Sequence, residues 1–435
     1  MNHPEKNETL GRGDLEQLQM ERLQSTLNRV YRNVAFYRHS FDAHRVNIER
    51  IKSTEALREL PFTTREDLGK SYPYEMFAVP LREIVRIHAA SGTAGTPIVM
   101  GYTRNDLRNW TEYTARLLAA AGITANDVVQ IAFPYNLSAG AFGFHQGAEQ
   151  IGASVIPSPA TASSEKQVTI MKDFKTTALI CTPNYALRLA ATLEELHVHP
   201  ERLQLRTGIF GGEPWGEASR AQLEARLPIL AHETYGLSDV LGPGVAGECH
   251  VRKGLHVNED HFIIEVIDPR TLAPAPAGEP GELVFTTITR DGFPIIRYRT
   301  GDVASVTAEP CPCGRTFARM SRVLSRLDNR IFFSGASIFP SQIEAILTEV
   351  EGSLPQYEIV LDCEDGKDTM EIKVEVSGNM PALDEVRKLE HLRQLLARRV
   401  ETVLDVQAQI TFVEPKSLRA QPQGKVVDRR LEPRK

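Results

Sequence analysis

Residues 91–97 read Ser-Gly-Thr-Ala-Gly-Thr-Pro and lie between two apolar runs, one with Ile84, Val85 and Ile87, the other Ile98-Val99-Met100. Small residues let such a loop bring its backbone close to an anion, with amides pointing inward and hydroxyls adding donors. The same composition also makes an ordinary tight turn. The stretch is not Gly-x-x-x-x-Gly-Lys-Ser/Thr, so the usual P-loop is excluded. Cys249, His256, Cys311 and Cys313 offer a second chemistry. Three thiols and one imidazole are the donor set of a closed, tetrahedral structural zinc site. The spacing is not that of a zinc finger, His250 is a rival ligand, and Cys311-Pro312-Cys313-Gly314 also reads as a plain turn with two free thiols. Cys181 and Cys363 fall in apolar strands and read as small core residues.

These residues need elements to hold them. Apolar spacing predicts a helix across about 15–40 (Leu15, Leu18, Leu23, Leu27, Val30), and Thr63-Thr64-Arg65-Glu66-Asp67 reads as a capped helix start. From 103 to about 300, helices alternate with short strands. The helices are Asn105–Ala121 (closed by Gly122), Phe144–Ile151 and Lys166–Phe174; the strands are 128–132, 154–156 and 178–181. That alternation predicts a largely parallel sheet covered by helices, an α/β architecture. Strands at 262–267, 282–287 and 303–306 predict a strand-rich subdomain. A small α+β unit follows, with helices over 340–350 and 383–400 and strands over 356–362, 370–376 and 407–413. The expected division is 1–327 and 328–435.

Composition sets the outer limits. The 435 residues exceed one small core. Hydrophobic content of 42% and charged content of 24% are those of a soluble globular protein. A net charge of −6 gives no reason to expect nucleic acid as a partner. The polar N-terminus predicts no signal peptide, and no run approaches the ~20 apolar residues of a membrane span. Five cysteines make no disulfide framework and suit a reducing cytoplasm.

Four further segments matter: Gly211-Gly212-Glu213-Pro214-Trp215, Tyr235-Gly236-Leu237-Ser238-Asp239, Tyr298-Arg299-Thr300-Gly301-Asp302 and Gln423-Gly424-Lys425. With the 91–97 loop they follow the order of the ANL adenylate-forming enzymes. Pro61-Phe62-Thr63-Thr64, Gly242-Pro243-Gly244-Val245-Ala246, Glu259-Asp260-His261-Phe262 and Phe339-Pro340-Ser341-Gln342-Ile343-Glu344 resemble the phenylacetate–CoA ligase family more closely. The resemblance implies a large adenylate-forming domain and a mobile C-terminal lid. It also implies a two-step reaction: a carboxylic acid takes AMP from ATP, then passes its acyl group to coenzyme A.

Roles follow from the resemblance. Ser91, Gly92, Thr93 and Gly95 would bind the triphosphate. Gly212, Glu213 and Pro214 would wall the adenine opposite Tyr235, with Gly236 and Ser238 beside it. Asp302 would accept both ribose hydroxyls, as a carboxylate can. Arg326 would reach the ribose or phosphate, and Asp328 would be the hinge. Asp239, where the family usually has Glu, would contact Mg²⁺. Tyr135, Phe142, Gly211 and Pro243 would line an acid pocket suited to an aromatic acid. Lys425 would neutralise charge building between carboxylate and α-phosphate. Relatives share the Cys/His pattern of the zinc ligands and are often dimeric.

The chain also departs from the family pattern. Ala90, Ala94 and Thr96 replace a Ser, a Thr and a Lys of the usual phosphate loop, so one positive charge near pyrophosphate is lost. Ser138 replaces an aromatic, and Phe142 adds bulk. Two other readings compete: an adenylating enzyme that delivers the acyl group to a carrier protein or an amine, and a non-catalytic ligase-like binding protein.

Overall fold

The computed structural model describes residues 5–90, 96–160, 162–213, 215–327, 331–334, 336–351, 355–364, 367–376, 386–414, 417–418 and 425–430. It divides into a larger unit, Met1–Ala90 with Pro97–Leu327, and a smaller one over Asp328–Lys435.

A nine-stranded mixed sheet organises the larger unit. Five strands are parallel neighbours in the order Ser154–Pro157, Val128–Ile131, Ala178–Cys181, Thr207–Phe210 and Leu230–Leu237. Ala178–Cys181 and Thr207–Phe210 are buried throughout, which is why they read as unbroken apolar runs. The sheet then turns antiparallel through Gly242–Glu248, Leu255–Val257, Arg319–Met320 and Val306–Thr307. A second, antiparallel sheet joins Phe262–Ile267, Gly281–Thr287, Tyr298–Ala304 and Ser325–Arg326. The hairpin Arg86–Ala90/Ile98–Tyr102 flanks the 91–95 segment.

Helix Arg104–Ala120 opens with a capping box between Thr103 and Asp106. The same Asp106 accepts the amides of Asp291 (2.6 Å) and Gly292 (2.9 Å), so one side chain fixes both a helix start and a distant turn. This helix packs on Gly140–Ile151 so closely that a Cβ at Gly147 would lie 2.8 Å from the Ala115 amide nitrogen. Trp110 fills the space beside them, fully buried and stacked on Tyr102 at 5.4 Å.

Three expectations change. The span 15–40 is two helices, Arg12–Asn33 and Ala35–Ala43, because Val34 takes an extended backbone. The strand expected at 303–306 runs Tyr298–Ala304 with strictly alternating burial; Val306–Thr307 belongs to the other sheet, so the chain changes sheets at Ser305. Cys363 is half-buried near the end of its strand rather than in the core, whereas Cys181 is fully buried.

The smaller unit is a four-stranded sheet ordered Gln409–Val413, Lys367–Glu375, Tyr357–Glu364, Lys425–Asp428. Helices Pro340–Glu351 and Val386–Leu404 contribute Ile343, Ile346, Leu347, Leu396 and Val400 to its own core. No helix among the described residues is long and apolar enough to cross a membrane.

The N-terminal segment is tied to the larger unit by buried charge. Arg116 meets Asp260 at 2.8 Å, Asn7 donates to the same carboxylate at 3.0 Å, and Arg12 forks onto Glu259 at 2.6 and 2.8 Å. Beside this cluster, burial pushes the His261 imidazole down to about 4, against the pull of Asp260. A histidine that binds protons less readily when folded contributes stability above the ordinary histidine range, and that stability is lost as pH falls towards 4. The melting temperature should therefore drop between pH 6.5 and 4, and His261→Gln should flatten that slope in calorimetric scans. An unchanged slope would assign the acid sensitivity elsewhere.

Candidate active site and metal centre

Two aspartates and two tyrosines hold the centre of the larger unit. Tyr235 and Asp239 sit on and just beyond strand Leu230–Leu237; Tyr298 and Asp302 lie four residues apart on strand Tyr298–Ala304. Tyr235 donates its hydroxyl to Asp302 Oδ2 at 2.7 Å, and Tyr298 donates to Asp239 Oδ2 at 2.7 Å. Each sheet thus gives a tyrosine and receives one. Each carboxylate also has an arginine: Arg65 on Asp239 and Arg326 on Asp302. Asp239 is 2% exposed and Asp302 fully buried, and a carboxylate so far from water is costly to bury without such partners.

The register explains the second pair. Asp302 lies directly opposite Arg326 across antiparallel strands, and Arg326 Nη2 also donates to the Thr300 carbonyl at 3.3 Å. The Tyr235 ring stacks on Phe285 with centroids 6.0 Å apart. Asp239 Oδ1 is buried with no hydrogen-bond partner. One open carboxylate oxygen suits Mg²⁺, a hard ion that keeps most of its ligands as water and substrate phosphate. Arg65 was not singled out in the sequence, because nothing local to it points 174 positions along the chain. Arg290 was missed for the same reason. It is buried, lies over Tyr102 and Phe293, and donates to the carbonyls of Asp239 (2.9 Å) and Val240 (2.6 Å).

The loop after strand Thr207–Phe210 carries Gly211, Gly212 and Glu213. Gly212 has φ +82°, a backbone that favours glycine. Glu213 accepts the Asn184 amide at 2.8 Å. Buried Trp215 anchors the loop. Arg220 and Arg322 lie over its ring, 5.3 and 5.0 Å from the centroid. Arg220 forks onto Glu248 at 2.9 Å, and Arg322 reaches Glu233 at 3.0 Å. Burial raises the Glu233 carboxyl to about 8, against the pull of Arg322.

Tyr135 and Phe142 meet edge to face at 5.5 Å, both partly exposed, so they do form one aromatic corner. The carbonyl of Pro243 accepts Trp110 Nε1–H at 2.9 Å. Gly236 and Ser238 are half-buried beside Tyr235. Ser91, Gly92, Thr93, Gly95, Pro214 and Asp328 lie outside the described residues. Lys425 begins strand Lys425–Asp428, in parallel register with Glu358.

Cys249, His256, Cys311 and Cys313 converge from three chain segments, and their ligand atoms all lie within 4.8 Å of one another. The Cys249–Cys311 sulfur separation is 3.9 Å, and Cys313 Sγ is 3.4 Å from His256 Nε2. A tetrahedron built on ordinary zinc bond lengths has S–S edges of about 3.8 Å and S–N edges of about 3.6 Å. His256 Nδ1 faces the Phe317 carbonyl at 3.4 Å, which leaves Nε2 bare for a metal. Burial, followed by the neighbouring thiolates, raises Cys249 to about 12; Cys313, against its own burial, is held at about 5 by His256 and Arg315. Cys249 and Cys313 are thus pushed in opposite directions, and a cation among the sulfurs would favour the thiolate of both. The rival His250 is exposed and outside the cluster.

Comparison with known proteins agrees with this arrangement. Residues 18–289 match the family model described as AMP-binding enzyme, and residues 335–430 match the AMP-binding enzyme C-terminal domain. A phenylacetate–coenzyme A ligase of Thermus thermophilus is 41% identical over 420 residues, 94% of each chain. The enzyme of the same name from Escherichia coli is 39% identical over 408 residues, covering 93% of this chain and 92% of its own. Among solved structures, a 2-hydroxyisobutyryl-CoA ligase in complex with 2-HIB-AMP and CoA superposes with a TM-score of 0.90 at 28% identity, covering 98% of this chain and 92% of that one.

The Trp215 anchor has an optical consequence. The sequence holds two tryptophans, both buried here, so native emission should be blue-shifted and resistant to acrylamide. Arg322→Ala removes one ring contact and one buried ion pair, about 1–3 kcal/mol together. It should red-shift the emission and raise the quenching constant. Emission identical to wild type would mean that Arg322 does not hold the loop.

Proposed function

The chain belongs to the AMP-binding enzyme family, and on that premise we propose that it activates an aromatic carboxylic acid, phenylacetate or a related aryl acid, for transfer to coenzyme A. It is an ATP-dependent, AMP-forming acid–CoA ligase. The observation that carries the reading is identity of about 40% to phenylacetate–CoA ligases along nearly the whole chain. The aromatic corner of Tyr135 and Phe142 supports an aryl acid, since flat apolar groups pack well on ring edges and faces.

The chemistry runs in two displacements. A carboxylate oxygen attacks the α-phosphorus of ATP, the P–O bond to pyrophosphate breaks, and a mixed anhydride forms. The thiolate of coenzyme A then attacks the acyl carbon, and AMP leaves with the oxygen it had gained. Both steps gather negative charge, which positioned donors and cations stabilise. In our reading Ser91, Gly92, Thr93 and Gly95 donate to the phosphates. Tyr235 faces the adenine, opposite Gly212, Glu213 and Pro214. Asp302 takes the ribose hydroxyls when Arg326 turns from the carboxylate towards the phosphate or ribose. Asp239 Oδ1 is the atom that would hold Mg²⁺, whose charge offsets that of the triphosphate.

Lys425 belongs to the smaller unit, which we read as the mobile lid, turning about Asp328. The lysine supplies the cation between carboxylate and α-phosphate. Zinc in the Cys249–His256–Cys311–Cys313 cluster is structural, because all four positions are taken by protein. Its place between the loop after Glu248 and the 311–314 turn pins the end of the antiparallel half-sheet. A homodimer and a cytoplasmic setting complete the reading; the small number of cysteines, five in 435 residues, goes with the second.

The protein incubated with ATP, Mg²⁺ and arylacetic acids should release pyrophosphate, and release AMP only with coenzyme A. AMP release that ignores coenzyme A but responds to an amine or a carrier protein would replace the ligase reading. Lys425→Ala should lose adenylation by about 10²–10³-fold while still forming thioester from supplied acyl adenylate; equal loss of both steps would remove the lysine from that role. Metal analysis should find about one zinc per chain. Cys313→Ala should lower both zinc content and melting temperature, whereas metal-free protein of unchanged stability would leave the cluster as plain thiols.

A further inference from the structure

The strand that leads into the 91–95 segment carries a histidine that no motif singled out. His88 is 3% exposed, on strand Arg86–Ala90. Its Nδ1 lies 3.0 Å from the Leu137 carbonyl oxygen. A carbonyl can only accept, so Nδ1 carries the proton and donates. Burial lowers the pKa of His88; Arg86 and Arg290 add to that, while the Leu137 bond opposes it. The ring is therefore neutral at pH 7, and its Nε2 presents a bare lone pair.

That atom is buried and has no hydrogen-bond partner. Its surroundings are aromatic: Phe142, Tyr102 and Trp110 lie with ring centroids 5.2, 5.3 and 6.3 Å away. Four nearby donors are directed elsewhere. Trp110 Nε1 donates to the Pro243 carbonyl at 2.9 Å, and the Tyr102 hydroxyl to the Leu241 carbonyl at 2.7 Å. Arg86 Nη1 goes to Gln146 Oε1 at 3.2 Å, and the Tyr135 hydroxyl pairs with His145 at 3.1 Å. An unpaired buried acceptor is costly, and a donor brought in by a ligand would offset that cost. Phe142, on which His88 packs, also meets Tyr135 in the aromatic corner assigned to the acid.

We propose that His88 is a specificity-determining residue: its Nε2 accepts a hydrogen bond from a hydroxyl group on the acyl portion of the substrate. The preferred acid is then a hydroxylated aromatic acid rather than the plain arylacetate. The proposal rests on the ligase reading for the identity of the ligand. A site built to pair with a hydroxyl rejects an analogue lacking it more strongly than an apolar pocket can, because the analogue leaves the acceptor bare.

Matched acids, each with and without one ring hydroxyl, are compared by kcat/KM for pyrophosphate release. Wild type should favour one hydroxylated member by about 10- to 100-fold. His88→Leu should collapse that ratio, while His88→Gln, with an amide oxygen near the position of Nε2, should restore part of it. Equal kcat/KM for every pair in wild type, or a ratio unchanged in His88→Leu, would overturn the proposal. Histidine nitrogen NMR on the wild-type protein gives a readout that needs neither catalysis nor a folded variant. The Nε2 resonance of His88 should move upfield with the hydroxylated acid and stay put with its partner; no difference between the two would reject the assignment. If no acid releases pyrophosphate, the ligase reading fails, and the NMR comparison still decides the role of His88.

Discussion

Two buried carboxylates that each need a cation and a hydroxyl constrain much of the larger unit. Asp239 and Asp302 lie where the nine-stranded sheet meets the four-stranded one, and each is bonded by the tyrosine of the other sheet. Removing charge from water is expensive, and here it is offset by an arginine for each acid plus a short charge-assisted bond. The exchange cross-links the sheets. Tyr235 and Tyr298 cannot shift without uncovering a carboxylate, so the two strands keep their spacing. The loops at these strand ends inherit that rigidity, and a nucleotide bound there, as proposed, would meet a preorganised site.

The surrounding anchors extend the same logic. Arg290 lies over two aromatic rings and holds the backbone at Asp239 and Val240. Arg322 and Arg220 hold Trp215 and with it the loop from Gly211. Asp106 caps a helix and fixes the turn at 291–292. Planar guanidiniums recur because they can lie over rings and pair with carboxylates or carbonyls at once. Away from this centre the Cys249–His256–Cys311–Cys313 cluster serves the far end of the antiparallel strands, where the sheet narrows to two-residue strands that bury little on their own.

Function in this molecule is divided between what is fixed and what is left open. The tyrosine–aspartate exchange is satisfied within the protein. Among the described residues several buried polar atoms have no hydrogen-bond partner, Asp239 Oδ1 and His88 Nε2 among them. Of these two, one is an acidic oxygen and the other a neutral nitrogen lone pair. They call for different partners, a cation and a hydrogen-bond donor.

The sequence by itself determined the elements and the motif positions. Helix and strand periodicity depends on neighbours a few residues away, so Ala178–Cys181, Phe262–Ile267 and the helix after Thr103 were legible within a residue or so. The order of Gly211–Trp215, Tyr235–Asp239 and Tyr298–Asp302 pointed to the adenylate-forming family, and the Cys/His set pointed to a metal. Only the tertiary structure decided the partners. Arg65 meets Asp239 across 174 positions, and His256 meets Cys313 across 57, because sheet register, not sequence spacing, sets such distances. The structure also selected His256 over His250, moved Cys363 out of the core, and left His88 Nε2 bare. Each of these depends on burial, which a residue acquires only when the rest of the chain closes around it.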